Sequence, residues 1–331
     1  MSIFGQDFNV LFIILIVHGI LKIGGYMKNK VVIIGCGNVG MSYAYALLNQ
    51  KTYVNELVLI DLNYEKTVGE AMDLNHGLAF APSNVITRAG NYNDCKDAKI
   101  VVIAAGANQE IGETRMDLIH KNDKIFKSII ENVNKSGFNG IYIIATNPVD
   151  VMTYITWKHS GFDTSRVIGS GTTLDTARLR YEVAKRVNIS PKNVHAYVIG
   201  EHGDSEFVPW SNANIGIQNI KDFLNDKDLN EICDNVRNAA YEIIERKGNT
   251  SYGIGMSLVR ITNAILGDEN LILTISSYDP NNDVFVGGPT IVNRNGADKR
   301  IYVKLNEEET EKLTNSINVL KNAINKTSVK E

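Results

Sequence analysis

His202 stands between glycines in Gly200-Glu201-His202-Gly203-Asp204, directly after the apolar Tyr197-Val198-Ile199. A histidine at a glycine-flanked strand end suits proton transfer near neutral pH, because the imidazole changes charge there. It needs an acid to hold its tautomer and stabilise the imidazolium. Gly169-Ser170-Gly171-Thr172-Thr173-Leu174-Asp175-Thr176-Ala177-Arg178 supplies Asp175 and, three residues on, Arg178. That spacing puts both on one helical face, so that one can orient the histidine while the other clamps an anion. Ala145-Thr146-Asn147-Pro148 closes a buried strand with an amide and a turn, where ligands approach open α/β sheets. Taken singly, each residue reads as a surface ion pair, a helix cap or a packed core group. Together they point to acid–base chemistry on a small anion.

A second pattern concerns a larger ligand. Gly35-Cys36-Gly37-Asn38-Val39-Gly40 is a G-x-G-x-x-G that follows an apolar strand and opens a helix, and Asp61 comes 21 residues after Gly40. Gly35 permits the tight turn, Gly37 lets backbone approach a pyrophosphate, and Gly40 allows close helix–strand packing. The helix start at Asn38 and Val39 offers free N–H groups and a positive dipole end to phosphates. Asp61 can accept hydrogen bonds from a ribose diol and would repel a 2′-phosphate, which favours NAD over NADP.

The elements that must position these groups are readable. Short β-branched runs alternate with amphipathic stretches from residue 30 onward, as βαβ units do. Strands are expected at 31–34, 56–61, 84–88, 100–104 and 140–145, and helices at 38–49, 64–75 and 113–135. The strands are apolar throughout rather than alternating, which implies a sheet covered on both faces. After about residue 165 the texture changes. A helix over 175–187 leads into a strand over 195–199; strands at 271–277 and 283–286 flank a turn as a hairpin, and a last helix covers 307–325. The expected fold is α/β: a Rossmann-type doubly wound parallel sheet plus a C-terminal α+β substrate domain. The expected limits are 27–168 for the NAD-binding domain and 169–331 for the catalytic one.

Composition narrows the function class. With 44% hydrophobic and 21% charged residues the chain is an ordinary globular protein, and a net charge of −3 offers no footprint for nucleic acid. Cys36, Cys95 and Cys233 lie far apart without a C-x-x-C pair, which argues against a disulfide framework or structural zinc and suits a reducing cytoplasm. No metal site is expected. N-x-S/T matches at Asn134, Asn188, Asn249 and Asn325 are read as chance. The apolar run from Val10 to Val17 is too short for a membrane span and lacks the flanks of a signal peptide. Residues 1–26 are therefore expected to form an extension outside the fold, with a packed arm or a membrane-associated segment as alternatives.

The motifs GCGNVG, GANQEIGETRMDL, ATNPVDVMTYITWKHSG, VIGSGTTLDTARLR, NVHAYVIGEHGDSE and KGNTSYGIGMSLVRI, in this order, resemble the NAD-dependent L-lactate/malate dehydrogenases, and within them the bacterial L-lactate dehydrogenases. The resemblance runs from Met27 to about Asn325. It implies that His202 exchanges a proton with the carbonyl oxygen of pyruvate and that Asp175 orients it. Arg178 would bind the substrate carboxylate bidentately, and Arg115 would polarise the carbonyl. Asn147 would stand near nicotinamide and substrate, with Thr250 and Ile254 lining the same pocket. Gly106 and Gly112 would let GANQEIGETRMDL close as a lid.

Substrate choice follows from the residue at 109. Within this family malate dehydrogenases carry arginine there, matched to the second carboxylate of oxaloacetate. Gln109 is neutral and leaves such a charge unpaired, which favours pyruvate. Arg180 and His195 match positions that bind fructose 1,6-bisphosphate at a subunit interface in many bacterial relatives, so a homotetramer activated by that effector is expected. No membrane or nucleic-acid partner is expected.

Overall fold

The computed structural model describes residues 29–107 and 115–329, and for residues 115–117 the backbone alone. The expected extension over 1–26, the lid residues Gln109 and Gly112, and the Arg115 side chain lie outside the described residues.

Strands β1 (Lys30–Ile34), β2 (Glu56–Ile60), β3 (Ile86–Ala89), β4 (Ile100–Ile103), β5 (Ile141–Ile144) and β6 (Val167–Gly169) are parallel and stand in the order β3-β2-β1-β4-β5-β6. This is the doubly wound arrangement, with its reversal of strand order beside β1. Beyond it come three strands of the C-terminal half: β10 (Leu271–Asp279), β11 (Val284–Asn293) and β12 (Gly296–Arg300). β10 joins β6 antiparallel at Ser276–Gly169, so the sheet of the described residues has nine strands and runs through both halves.

The continuous apolar strands have a direct explanation in packing. Val32, Ile34, Val58, Ile60, Val101 and Ile103 point to one face, onto helices α3 (Arg115–Lys135), α4 (Val149–Ser160) and α8 (Glu307–Ile324). Their neighbours Val31, Ile33, Leu57, Leu59, Ile100 and Val102 point to the other, onto α1 (Asn38–Leu48), α2 (Tyr64–His76) and α7 (Tyr252–Leu266). Successive side chains of a strand alternate between faces, so both faces must be apolar when both are covered. A third core joins α5 (Thr173–Val187) and α6 (Asp226–Lys247) through Leu179, Val183, Leu229 and Ile232. It also takes in Val194 and Ile215 from the small sheet of β7 (Val194–His195), β8 (Asn214–Ile215) and β9 (Gln218–Asn219).

Two expectations need correction. The strand expected over 195–199 is only the two residues of β7, followed by isolated bridges at Ile199–Phe207 and Gly200–Gly287. The apolar Ala196 and Val198 that suggested a strand are buried in the third core instead. The hairpin strands are longer than expected, pairing from Leu271–Val292 to Asp279–Val284, because the turn occupies only residues 280–283.

Candidate active site and cofactor groove

The glycine loop sits at the C-terminal end of β1. Gly35 has φ of +100°, and a Cβ there would lie 2.4 Å from the Ala105 nitrogen, so only glycine fits. A Cβ on Gly40 would lie 2.1 Å from the Gly35 carbonyl oxygen, which is how α1 closes onto the turn. Gly37 differs from both. It caps α1 without a side-chain hydrogen bond, and nothing lies within 4 Å of where its Cβ would be. Free helix-start N–H groups beside open space form a cradle for phosphate. Asp61 stands at the end of β2, its Oδ2 accepting the Cys36 N–H at 2.7 Å and its Oδ1 the Asn63 N–H at 3.1 Å. Lys66 reaches back from α2 to donate to the Cys36 carbonyl at 2.9 Å. Burial, with Asp61 alongside, pushes the Cys36 thiol up to about 12, so it stays a neutral packing group. A cavity of about 980 Å³ opens here, lined by Gly37, Asn38, Lys66, Asn249, Ser251 and Tyr252 among others.

Asn147 follows β5 and is exposed. Its carbonyl accepts from Asn122 Nδ2 at 3.2 Å, while Asn122 Oδ1 accepts the Ala107 N–H at 2.8 Å. One amide on α3 thus ties the base of the expected lid to the turn after β5. Thr250 and Ile254 flank the start of α7. That helix packs so tightly that Gly255 meets the backbone of Ser42 and Tyr43, and a Cβ on Gly253 would touch Leu174, the neighbour of Asp175. The region lining the cofactor groove therefore abuts α5 directly.

His202 and Asp175 come together across 27 residues, His202 Nδ1 lying 2.6 Å from Asp175 Oδ2. Threonines at the cap and first turn of α5 fix this. Thr172 Oγ1 donates to the Val198 carbonyl at 2.7 Å, and Thr176 Oγ1 accepts the Val198 N–H at 2.9 Å. The chain then turns at Gly200 (φ +100°), which exchanges backbone hydrogen bonds with Gly287 on β11. Glu201 N–H donates to Ser316 Oγ on α8 at 2.6 Å. His202 N–H donates to Asp150 Oδ2 at 2.8 Å, and Asp150 Oδ1 accepts from Ser276 Oγ at 2.5 Å. Four elements thus hold the loop, while a quarter of the His202 side chain (25%) stays exposed for a reacting partner.

Electrostatics follow from this packing. Burial opposes the imidazolium, but Asp175, with Glu206 and Asp150 behind it, raises the His202 pKa from 6.5 to about 9. Burial likewise opposes ionisation of Asp175, yet His202 and Arg178 hold it below the usual carboxylate range. Arg178 Nη1 donates to Asp175 Oδ1 at 2.7 Å; among the described residues its other nitrogens make no hydrogen bond. The expected one-face placement of Asp175 and Arg178 is therefore what the helix shows. Arg180 Nε donates to the Ala196 carbonyl at 3.2 Å and its guanidinium lies 5.0 Å from the Tyr197 ring, beside the exposed His195 of β7. His195 is thus not a core residue.

Three site residues were not anticipated from the sequence: Asp150, Ser276 and Glu206. Asp150 carried a signal, being an acid within the apolar Pro148-Val149-Asp150-Val151-Met152, fully buried in the structure. Its carboxyl is pushed up to about 6 by burial, against the hydrogen bonds from Ser276 and His202. Glu206 is also buried, and its carboxyl clusters with Asp175 and His202, with ligand atoms all within 4.8 Å of one another.

A dinucleotide groove at the strand ends that adjoins a buried proton-transfer cluster defines an NAD(P)-type oxidoreductase. Comparison with known proteins narrows the class. Residues 29–169 match the lactate/malate dehydrogenase NAD binding domain and residues 172–331 the lactate/malate dehydrogenase alpha/beta C-terminal domain. An L-lactate dehydrogenase of Bacillus pumilus is 57% identical over 303 residues, covering 88% of this chain and 96% of that protein. A lactate dehydrogenase from a deep-sea metagenome of the Medee basin superposes with a TM-score of 0.88 at 53% identity, covering 90% of this chain and 98% of its own. The ligand-bound minor L-lactate dehydrogenase of Enterococcus mundtii gives 0.88 at 45% identity, with the same coverage of each chain. The chain belongs to the lactate/malate dehydrogenase family, and its dinucleotide is NAD. Among the described residues no helix is long and apolar enough to cross a membrane.

Proposed function

We propose that this chain is an L-lactate dehydrogenase that reduces pyruvate with NADH and runs the reverse reaction with lactate. The observation that carries the reading is the cluster in which Asp175 binds His202 on one oxygen and Arg178 on the other. Gly35, Gly37, Asn38, Val39 and Gly40 cradle the pyrophosphate of NAD, and Asp61 meets the adenosine ribose. Bound NADH supplies a hydride to the substrate carbonyl carbon. Arg178 holds the substrate carboxylate, its free nitrogens being available beside the Asp175 pair. His202, kept cationic by Asp175, gives its proton to the carbonyl oxygen and takes it back in the reverse direction. Arg115 polarises the same oxygen, while Asn147, Thr250 and Ile254 line the pocket. In this reading residues 27–168 bind the cofactor and residues 169–331 carry the acid–base chemistry.

Gln109 makes pyruvate the preferred 2-oxo acid, since oxaloacetate would bring a charge it cannot pair. Arg180 and His195 bind fructose 1,6-bisphosphate between subunits of a homotetramer. Their placement supports this: a guanidinium held beside Ala196 and an exposed imidazole on adjoining backbone. The three cysteines are free thiols, in keeping with a cytoplasmic enzyme that regenerates NAD+ in fermentation. The test is NADH oxidation with pyruvate, oxaloacetate and 2-oxoisocaproate, each with and without fructose 1,6-bisphosphate. Pyruvate is expected to give the highest kcat/KM and the effector to lower its half-saturation. A preference for oxaloacetate refutes the role of Gln109, and an unchanged half-saturation refutes the effector site.

A further inference from the structure

Glu206 poses a problem of charge. The residue is only 8% exposed, and one of its carboxyl oxygens lies within 4.8 Å of an Asp175 carboxylate oxygen and of a His202 ring nitrogen. Two buried carboxyls this close repel when both are ionised, and a proton on one relieves the repulsion and lets it donate to the other. Asp175 is already committed as the anion: Oδ1 accepts from Arg178 at 2.7 Å and Oδ2 pairs with His202 Nδ1 at 2.6 Å. Each contact favours the ionised form of Asp175. The proton therefore belongs to Glu206.

We propose that Glu206 is a positioning residue that stays protonated through the working pH range and donates its hydrogen to Asp175. This assignment rests on the proposed pyruvate chemistry for its functional meaning. Asp175 then accepts from three directions: a guanidinium, an imidazolium and a carboxylic acid. It cannot rotate without breaking one of them, so His202 is held in one orientation. Neutrality of Glu206 also leaves the Arg178 charge to the substrate carboxylate. An ionised Glu206 would set a second buried anion beside Asp175, where little water screens their repulsion.

The cations nearest Glu206, His202 and Arg178, are already engaged by Asp175. The neighbours of Glu206 in the cluster are Asp175 and Arg178 on α5, with His202 and Asp204 on its own loop. Behind it lies a cavity of about 910 Å³, onto which α6 and α8 bring Asp234, Arg237, Glu308, Glu309 and Lys312. There Arg237 pairs with Asp234 at 3.5 Å, Lys312 with Glu308 at 2.6 Å and Lys221, also on the cavity wall, with Asp226 at 3.3 Å, while Glu309 is bound by Ser211 at 2.6 Å. Burial and the neighbouring Asp175 both push the Glu206 carboxyl far above the usual carboxylate range.

The test uses the full-length enzyme and its Glu206→Gln and Glu206→Ala variants. Infrared spectra at about pH 7.5 are expected to show a protonated carboxyl that is absent from Glu206→Gln. The pH at which pyruvate reduction falls by half is expected to stay within a few tenths of a unit in Glu206→Gln, because the amide is neutral and donates as the acid does. Glu206→Ala, lacking the donor, is expected to lose roughly tenfold in kcat with the KM for NADH unchanged. A midpoint displaced toward acid by about one unit in Glu206→Gln would show that an anion had been removed, and overturns the proposal. A band that is absent until a chelator is added would show carboxylates sharing a metal ion instead of a proton, with the same consequence. If the band is present and the enzyme does not reduce pyruvate, the reaction assignment fails and the shared proton stands.

Discussion

Asp175→Asn isolates the charge that drives the proposed chemistry. In the wild type, the displacement of the His202 pKa from 6.5 to about 9 corresponds to about 3 kcal/mol of preference for the imidazolium. Burial acts against that preference, and the Asp175 carboxylate 2.6 Å away provides the strongest opposing contribution. An asparagine keeps the shape and removes the charge, so His202 should titrate at or below its ordinary value. At about pH 7.5 the protonated share then drops from nearly all to roughly a tenth. The amide can also present its NH2 to Nδ1, which fixes the wrong tautomer and costs roughly another ten- to a hundredfold. The expected result is a loss of roughly 10²–10³ in kcat/KM for pyruvate at about pH 7.5, with NADH affinity unchanged. The decline in rate should also begin two or more pH units lower than the wild-type decline near 9. Steady-state NADH oxidation across that range, with fluorescence titration of NADH binding, measures both. Linkage gives a stability counterpart. Because the folded pKa is raised, the stabilisation from protonated His202 is complete below about 6.5 and is lost as pH rises through about 9. The wild-type melting temperature should fall over that interval and the Asp175→Asn melting temperature should not. Superposed pH–rate profiles for the two proteins would refute the reasoning, since they would mean that His202 is not held cationic by Asp175.

Two glycines of one motif separate folding from binding. Gly37→Ala has open space for its methyl, so its melting temperature should match wild type while the KM for NADH rises about tenfold, as the methyl occupies the phosphate cradle. Gly40→Ala would set a Cβ 2.1 Å from the Gly35 carbonyl and should lose about 1–3 kcal/mol of stability in thermal unfolding; equal melting temperatures for the two variants would contradict this division. Asp61→Ser removes the charge that repels a 2′-phosphate, so the NADPH-to-NADH ratio of kcat/KM should rise at least about tenfold. That variant should also unfold at a slightly lower temperature, because Asp61 binds the Cys36 and Asn63 N–H groups; an unchanged cofactor ratio would dismiss Asp61 as the discriminating group.

What the sequence discloses about this molecule depends on how far apart the cooperating groups lie along the chain. The glycine loop is a local object: turn, phosphate cradle and helix start fall within Gly35–Gly40, and Asp61 is one βαβ step away. Asp175 and Arg178 are three residues apart on one helix, so their shared face follows from helical geometry. The strands were legible as buried because Val31 to Ile34 offers no polar face. Asp150 and Glu206 were not legible as partners of His202, although both sit inside motifs that identify the family. Nothing in a linear pattern tells that Asp150, at the start of α4, meets the His202 N–H and Ser276 on β10. The strand expected over 195–199 failed for the same reason: alternation in Val194, Ala196 and Val198 records burial, and burial against α5 and α6 leaves the same trace as burial in a sheet.

The division has a physical basis in what each site must do. A phosphate cradle requires backbone N–H groups and room, both of which a short glycine pattern specifies without help from elsewhere. A proton donor requires a tuned environment, and tuning is non-local, since burial, counter-charge and fixed orientation come from different elements. His202 takes its counter-ion from α5 and its backbone anchor from α4; its loop is held by backbone bonds to β11 and a hydroxyl on α8. α4 belongs to the covering of the parallel sheet, whereas α5 carries Asp175 and Arg178, the proposed substrate-side residues. A change in how the two halves pack would therefore move Asp150 relative to Asp175 and disturb the imidazole between them. The nine-stranded sheet that joins β6 to β10 fixes this spacing, because Gly169 pairs with Ser276 and Ser276 binds Asp150. In the proposed reading, a single continuous sheet thereby places the acid–base group against a cofactor held by the other half of the chain.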